Sequence, residues 1–192
     1  MERLNNPIPE KIKANTIMMK LIVTGSLGNI SMPLTKELVQ KGHQVTVISS
    51  KPEKQKDIEA LGAAAAVGSL EDVGFLAATF TGADAVYVMV PPNFAEPDQI
   101  AYYRRIVSNY AQAIQQSGLR RVVHLSSYGA HLNKGTGFIL GSHNAEGILN
   151  ELSNVAITHL RPTYFYTNLF SFVDMIKGPA LLGQTSVEMT KW

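Results

Sequence analysis

The chain has 192 residues, 45% of them hydrophobic, with 17 basic against 15 acidic side chains and a formal charge of +2. That length supports one ordinary domain with a substantial buried core, and the balanced charge, free of long single-sign blocks, argues against nucleic-acid or membrane partners. The absence of cysteine excludes disulfide frameworks, thiol nucleophiles and cysteine-ligated zinc, and suits a reducing, cytoplasmic setting. A small-molecule partner is the expectation.

Residues 1–19 contain Pro7, Pro9, Glu10, Lys11 and Lys13 but no apolar core of a secretory signal, and read as a mobile leader. Leu21-Ile22-Val23-Thr24 then reads as a buried strand, and Gly25-Ser26-Leu27-Gly28-Asn29-Ile30-Ser31 as a turn opening a helix. Glycines at such a bend leave amides pointing outward at a helix N-terminus, where pyrophosphate charge is stabilised. The spacing is GxxGxxS rather than GxGxxG, and alone it also fits a plain strand-to-helix turn.

Ile30, Leu34 and Leu38 lie at helical spacing, Pro33 falls in the tolerant first turn, and Gly42 ends the helix. Gln44 to Ile48 is a second strand, Pro52 to Leu61 a short charged helix, and Ala63 to Val67 an alanine-rich third strand. Glu71 to Thr81 reads as a helix, and Ala85 to Val90 as a strand apolar throughout, as in a sheet covered on both faces. A long helix from about Asp98 to Gln116 follows, with Ile100, Tyr103, Val107, Tyr110, Ala111 and Ile114 as its apolar stripe. Arg121 to Leu125, Ser142 to Leu152 and Val155 to Leu160 supply a fifth strand, a helix and a sixth strand. This alternation predicts an α/β fold, a Rossmann-type doubly wound parallel sheet of order 3-2-1-4-5-6, over residues 20–160. Residues 161–192 read as the start of a substrate-binding region, incomplete and truncated.

Ligands of such sheets lie across the carboxyl ends of the strands. Strand two ends in Ser49-Ser50-Lys51, where no acid meets a ribose 2′-hydroxyl; two hydroxyls and an ammonium favour the 2′-phosphate of NADP, with NAD possible. A solvated turn is the plainer alternative. Ser69 and Leu70 border the expected adenine pocket, with helix capping the more ordinary role for Ser69. Val90 and Pro91 line the cofactor path with apolar surface and backbone, Ser126 faces the nicotinamide, and Ser127 and Tyr128 face substrate. His124, inside its strand, reads as structural. Beyond strand six, Pro162 and Thr163 offer a rigid edge beside the nicotinamide, Tyr164 a substrate contact, and Arg161 an anchor for the loop. The aromatic run Tyr164, Phe165, Tyr166, Phe170 and Phe172 reads as core packing rather than as a stacking surface.

The glycine turn, Gly68-Ser69-Leu70-Glu71-Asp72, His124-Leu125-Ser126-Ser127, and His159-Leu160-Arg161-Pro162-Thr163-Tyr164-Phe165 followed by Asn168-Leu169 together resemble the NmrA-like branch of the atypical short-chain dehydrogenase/reductases. The resemblance runs from about Lys20 onward. It implies an NAD(P) site and members that include NADPH-dependent quinone reductases, azoreductase-like enzymes and non-enzymatic NADP sensors. Two departures from the family concern Ser31, which replaces the turn's third glycine and is expected to loosen a close helix–sheet contact, and Ser69, which replaces the acid after strand three.

The Tyr-x-x-x-Lys pair of typical short-chain reductases is also missing; Gly141-Ser142-His143-Asn144-Ala145-Glu146-Gly147 stands at the start of the corresponding helix. Ordinary carbonyl reduction is therefore disfavoured, and hydride transfer to a quinone-like acceptor asks less of the protein. His143 is the candidate for proton supply or substrate orientation, with a structural role as its alternative, and its spacing from Glu146 allows the two to interact. No set of residues has readable metal-ligand spacing. The expected activity is NADPH-dependent reduction of a quinone-like small molecule, with a non-catalytic NADP-binding redox sensor as the rival.

Overall fold

A computed structural model describes residues 17–177. Most of the expected leader and the whole of Leu181 to Trp192 lie outside the described residues. Six strands, β1 (Lys20–Val23), β2 (Gln44–Ser49), β3 (Ala64–Val67), β4 (Ala85–Val88), β5 (Arg121–Leu125) and β6 (Ala156–Leu160), pair in parallel in the order β3-β2-β1-β4-β5-β6. The helices between them are α1 (Ser31–Gln40), α2 (Gln55–Ala60, entered through a 3-10 turn at Pro52–Lys54), α3 (Val73–Phe80), α4 (Gln99–Ser117) and α5 (Leu140–Asn150). After β6 a 3-10 segment, Tyr166–Phe172, leads into the short α6 (Val173–Lys177). The expected doubly wound order is the observed one.

Period-two alternation along the strands sorts the core onto two faces. Val23, Val45, Val47 and Tyr87 turn toward α1 and α2, where they meet Leu34, Leu38 and Ile58. Ile22, Ile48, Val86, Val88 and Val122 turn the other way, beneath Leu76 and Phe80 of α3, Ile106, Tyr110 and Ile114 of α4, and Leu149 of α5. Each such side chain contributes roughly 1.5–3 kcal/mol when fully buried. β4 is buried along its whole length because it sits between β1 and β5 with helices on both sides.

Several boundaries differ from the sequence reading for local reasons. β4 ends at Val88 rather than Val90, because the Met89 amide leaves the sheet to donate to Thr24 Oγ1 at 3.0 Å. α3 begins at Val73, and its cap is Asp72, whose carboxylate accepts from the Phe75 amide at 2.9 Å; Ser69 instead braces a turn by accepting from the Glu71 amide. On α4 the buried stripe is Tyr102, Ile106, Val107, Tyr110, Ala113 and Ile114, while Ile100, Tyr103 and Ala111 are only half-buried. The aromatic run after β6 is not core: Tyr166 is 85% and Phe170 74% exposed.

Candidate functional site

The chain order reverses between β1 and β4, and the crevice of a doubly wound sheet opens at that switch point. Gly25 turns the chain there at φ +89, in the left-handed region that glycine enters at no steric cost. A Cβ on Gly25 would stand 2.5 Å from Ser31 Oγ and 3.0 Å from Met89 Sδ, so the turn is also too close to its neighbours for any side chain. Ser31 corrects the expectation of a loosened contact. It is buried, and its hydroxyl donates to the Thr24 carbonyl at 2.7 Å, filling the space that Gly25 leaves. Thr24 thereby clamps three elements, since its hydroxyl also holds Met89 and its amide donates to the Tyr87 carbonyl.

The bent turn leaves donors free. Ser26 and Gly28 spend their amides on the Ile48 and Gly25 carbonyls, but among the described residues the amides of Leu27, Asn29 and Ile30 have no acceptor, and α1 has no side-chain cap at Ile30. Unpaired amides at the start of a ten-residue helix form the donor set that a diphosphate requires, and the missing Cβ at Gly25 keeps the approach open. The residues present therefore fit a dinucleotide.

At the end of β2 the three expected phosphate contacts separate. Ser49 is buried and its hydroxyl accepts from Ser26 Oγ at 2.9 Å and from the Lys51 amide at 3.2 Å, so it braces the glycine turn instead of facing solvent. Ser50 and Lys51 are exposed. Ser69 lies exposed beyond β3, whose end is tied to β2 by Gly68 N–H donating to the Ser49 carbonyl at 3.0 Å. Leu70 is half-buried against the α3–α4 core, with its carbonyl held by Asn109 Nδ2 at 3.0 Å.

Next to the turn, across Met89, lies a cleft of about 510 Å³. It gathers seven of the expected site residues: Val90, Ser126, Pro162 and Thr163 from the cofactor set, and Ser127, Tyr128 and Tyr164 from the substrate set. Pro91 is not part of its lining. The loops after β5 and β6 extend the sheet pairing past the strands, with Ser126 N–H donating to the Leu160 carbonyl at 2.7 Å and Tyr128 N–H to the Pro162 carbonyl at 2.9 Å. Sequence reasoning missed the contributions of Tyr103, Phe138, Ile139, Ser142 and Asn168 to this cleft. Asn168 had a signal in the motif after strand six and Ser142 in the motif that opens α5; Tyr103 arrives on α4, and Phe138 and Ile139 in the 3-10 turn Gly137–Ile139 that leads into α5.

The cleft wall is held by a charged knot that spacing did not reveal. Glu146 on α5 is buried, accepts from Ser126 Oγ at 2.5 Å, and pairs both oxygens with Arg161 at 2.8 and 2.5 Å. Burial opposes its charge, but the hydrogen bonds from Arg161 and Ser126 prevail and hold the carboxyl down to about 2. Arg161 thus anchors the loop after β6, as expected of it. The reading of His143 is corrected: its Nδ1–H donates not to Glu146 but to the Ala130 carbonyl, at 2.8 Å, and the ring lines a separate groove with Arg104, Ser108 and Glu151. The helical turn that aims Glu146 at the sheet aims His143 away from the cleft. His124 is structural, buried with its Nδ1 3.0 Å from that of His159, and burial followed by its histidine neighbour pushes it down to about 4.

A parallel sheet wound in this order, with free amides at its switch point and a cleft beside them, defines a Rossmann-like dinucleotide-binding protein. The chain belongs to the NAD(P)H-binding family, whose sequence profile matches residues 25–169. It is similar to cinnamoyl-CoA reductase 1 of Oryza sativa subsp. japonica, at 32% identity over 119 residues, covering 58% of this chain and 35% of that protein. The chain thus spans about a third of the length of that curated relative. Its fold is shared with the Citrobacter sp. triphenylmethane reductase solved with NADP(H), at 18% identity and a TM-score of 0.68, covering 79% of this chain and 51% of the other. It is also shared with the Escherichia coli NADPH-dependent quinone oxidoreductase QOR2 solved with NADPH, at 16% identity and a TM-score of 0.69, covering 81% and 53%. No helix among the described residues is long and apolar enough to cross a membrane.

Proposed function

We propose that the protein is an NADPH-dependent oxidoreductase that reduces flat, uncharged, quinone-like small molecules by direct hydride transfer. One observation carries this reading. Among the described residues the cleft is lined by aliphatic, thioether, aromatic, hydroxyl and amide groups and, its tyrosine phenols aside, by no ionisable side chain. None of these described residues would form an ion pair with a substrate phosphate or carboxylate, and no imidazole or carboxylate stands among them as a general base. A planar conjugated acceptor suits such walls, because it binds through its faces and its own oxygens hold the charge that develops.

The bound cofactor supplies the hydride. The chain's part is to seat the diphosphate on the amides of Leu27, Asn29 and Ile30 and to hold the nicotinamide edge between Met89–Val90 and Pro162–Thr163. The exposed ammonium of Lys51, with Ser50 beside it, supports NADP over NAD. The NADPH-dependent quinone oxidoreductase among the structural neighbours agrees with this choice of acceptor and cofactor.

The same lack of an imidazole or carboxylate among the described cleft residues favours, as a second reading, a regulator that binds NADP without turnover. NADPH oxidation across a panel of quinones, run beside calorimetric titration with NADP and NAD, separates the two. Turnover supports the reductase, binding without turnover the regulator, and absence of binding overturns both.

A further inference from the structure

We propose that the Tyr103 hydroxyl is the proton donor to the reduced substrate, an inference that rests on the reductase reading above. Tyr103 stands on the second turn of α4 and is half-buried in the cleft wall. Its ring crosses over Gly141 at the start of α5, where a Cβ would lie 2.8 Å from the ring's Cγ and 3.1 Å from Cδ1. Gly141 has no left-handed backbone to explain it, and a glycine inside a helix costs about 1 kcal/mol relative to alanine. The passage of the Tyr103 ring accounts for that glycine.

The hydroxyl is chemically available. Among the described residues it has no hydrogen-bond partner, and it is not one of the sealed polar atoms. The competing hydroxyls nearby are engaged, peripheral or far weaker acids: Ser126 donates to Glu146, Ser127 donates to the Tyr128 carbonyl at 3.2 Å, Tyr128 and Tyr164 are exposed at the rim, and Ser142 and Thr163 carry aliphatic alcohols. Burial raises the Tyr103 phenol above its ordinary range, so its proton is given up only as negative charge builds on the acceptor oxygen. Its neighbour Tyr102 faces the core instead, edge-on at 6.5 Å.

The step balances without a further reagent. The acceptor gains a hydride with its electron pair from NADPH, which is oxidised to NADP, and one acceptor oxygen becomes anionic. The O–H bond of Tyr103 breaks as an O–H bond forms on that oxygen, and the tyrosinate recovers its proton from water entering the open cleft. The net change consumes one NADPH, one proton and one quinone and yields NADP and a hydroquinone.

Tyr103→Phe keeps the ring over Gly141 and removes only the hydroxyl. With 1,4-naphthoquinone as acceptor, kcat is expected to fall on the order of 100-fold while NADPH affinity is unchanged. Binding of 1,4-naphthoquinone to the NADP-loaded protein, where no turnover is possible, is expected to weaken several-fold. Gly141→Ala displaces the ring and should lose the same turnover, with the double variant no worse than Tyr103→Phe alone. Wild-type turnover and naphthoquinone binding matched by Tyr103→Phe overturn this proposal alone, and so does a parallel loss of NADPH affinity. A wild-type protein that neither oxidises NADPH with any quinone nor binds naphthoquinone overturns the reductase reading and this proposal together.

Discussion

The glycine turn between β1 and α1 and the corner where β5, α5 and β6 meet stand on the same edge of one sheet but are built on different principles. The turn acts through backbone: positive φ at Gly25, the missing Cβ, and amides left without acceptors. The corner acts through side chains brought from distant positions, with Glu146, Ser126 and Arg161 in one knot and Tyr103 laid over Gly141. Backbone sites are encoded by a few adjacent residues, whereas side-chain sites depend on how helices pack. The difference teaches where single substitutions will act on cofactor binding and where they will act on stability and substrate.

The sharpest break falls on the turn. Gly25→Ala forces a side chain into a left-handed backbone and against Ser31 Oγ and Met89 Sδ. NADP affinity is expected to fall by more than 100-fold, and stability by about 1–3 kcal/mol. Calorimetry and denaturant unfolding check these, and unchanged affinity would show that the turn does not hold the diphosphate.

The corner should respond the opposite way. Glu146→Ala leaves Arg161 and Ser126 without their acceptor and is expected to cost about 1–3 kcal/mol, with cofactor affinity altered less than in the Gly25 variant. Its pH dependence has a fixed sign. The Glu146 carboxyl is lowered in the folded protein, so its contribution is complete above its ordinary value of 4.5 and is lost as pH falls toward about 2. His124, lowered from 6.5 to about 4, favours the folded state above 6.5 and loses that contribution as pH falls toward about 4. Acid unfolding should therefore steepen in two windows, and Glu146→Ala should flatten only the lower one.

Lys51→Glu sharpens the comparison within the cofactor half. NADP affinity should fall roughly tenfold while NAD affinity holds, because only the 2′-phosphate faces the reversed charge. Equal changes for both nucleotides would remove Lys51 from the site. The smallest effect is assigned to Ser31→Gly, which completes a third glycine in the turn but deletes the hydrogen bond to Thr24. A loss of about 1 kcal/mol in thermal or denaturant unfolding is expected, and a gain would return Ser31 to the status of a poor fit.

The sheet and its order were legible in the sequence because apolar strands alternating with amphipathic helices admit few topologies. The residues after the strands were legible for the same reason, since strand ends in a parallel sheet share one edge; Val90, Ser126, Ser127, Pro162 and Thr163 do meet in one cleft. Ser49 and His143 were not. Both sit at positions where a shift of one residue changes the face presented, and their partners, Ser26 and Ala130, are distant in sequence. The exposed aromatics after β6 show the same limit, because spacing alone does not say whether a surface exists to cover them.

By itself, then, the sequence determined what depends on local backbone chemistry: the strand–turn–helix at Gly25, the periods of the elements and the sheet edge at which the strand ends gather. Only the tertiary structure decided which side chains face the cleft. That choice is set by the rotation and contact of α4 against α5, a balance of many weak packing terms spread over residues far apart in the chain.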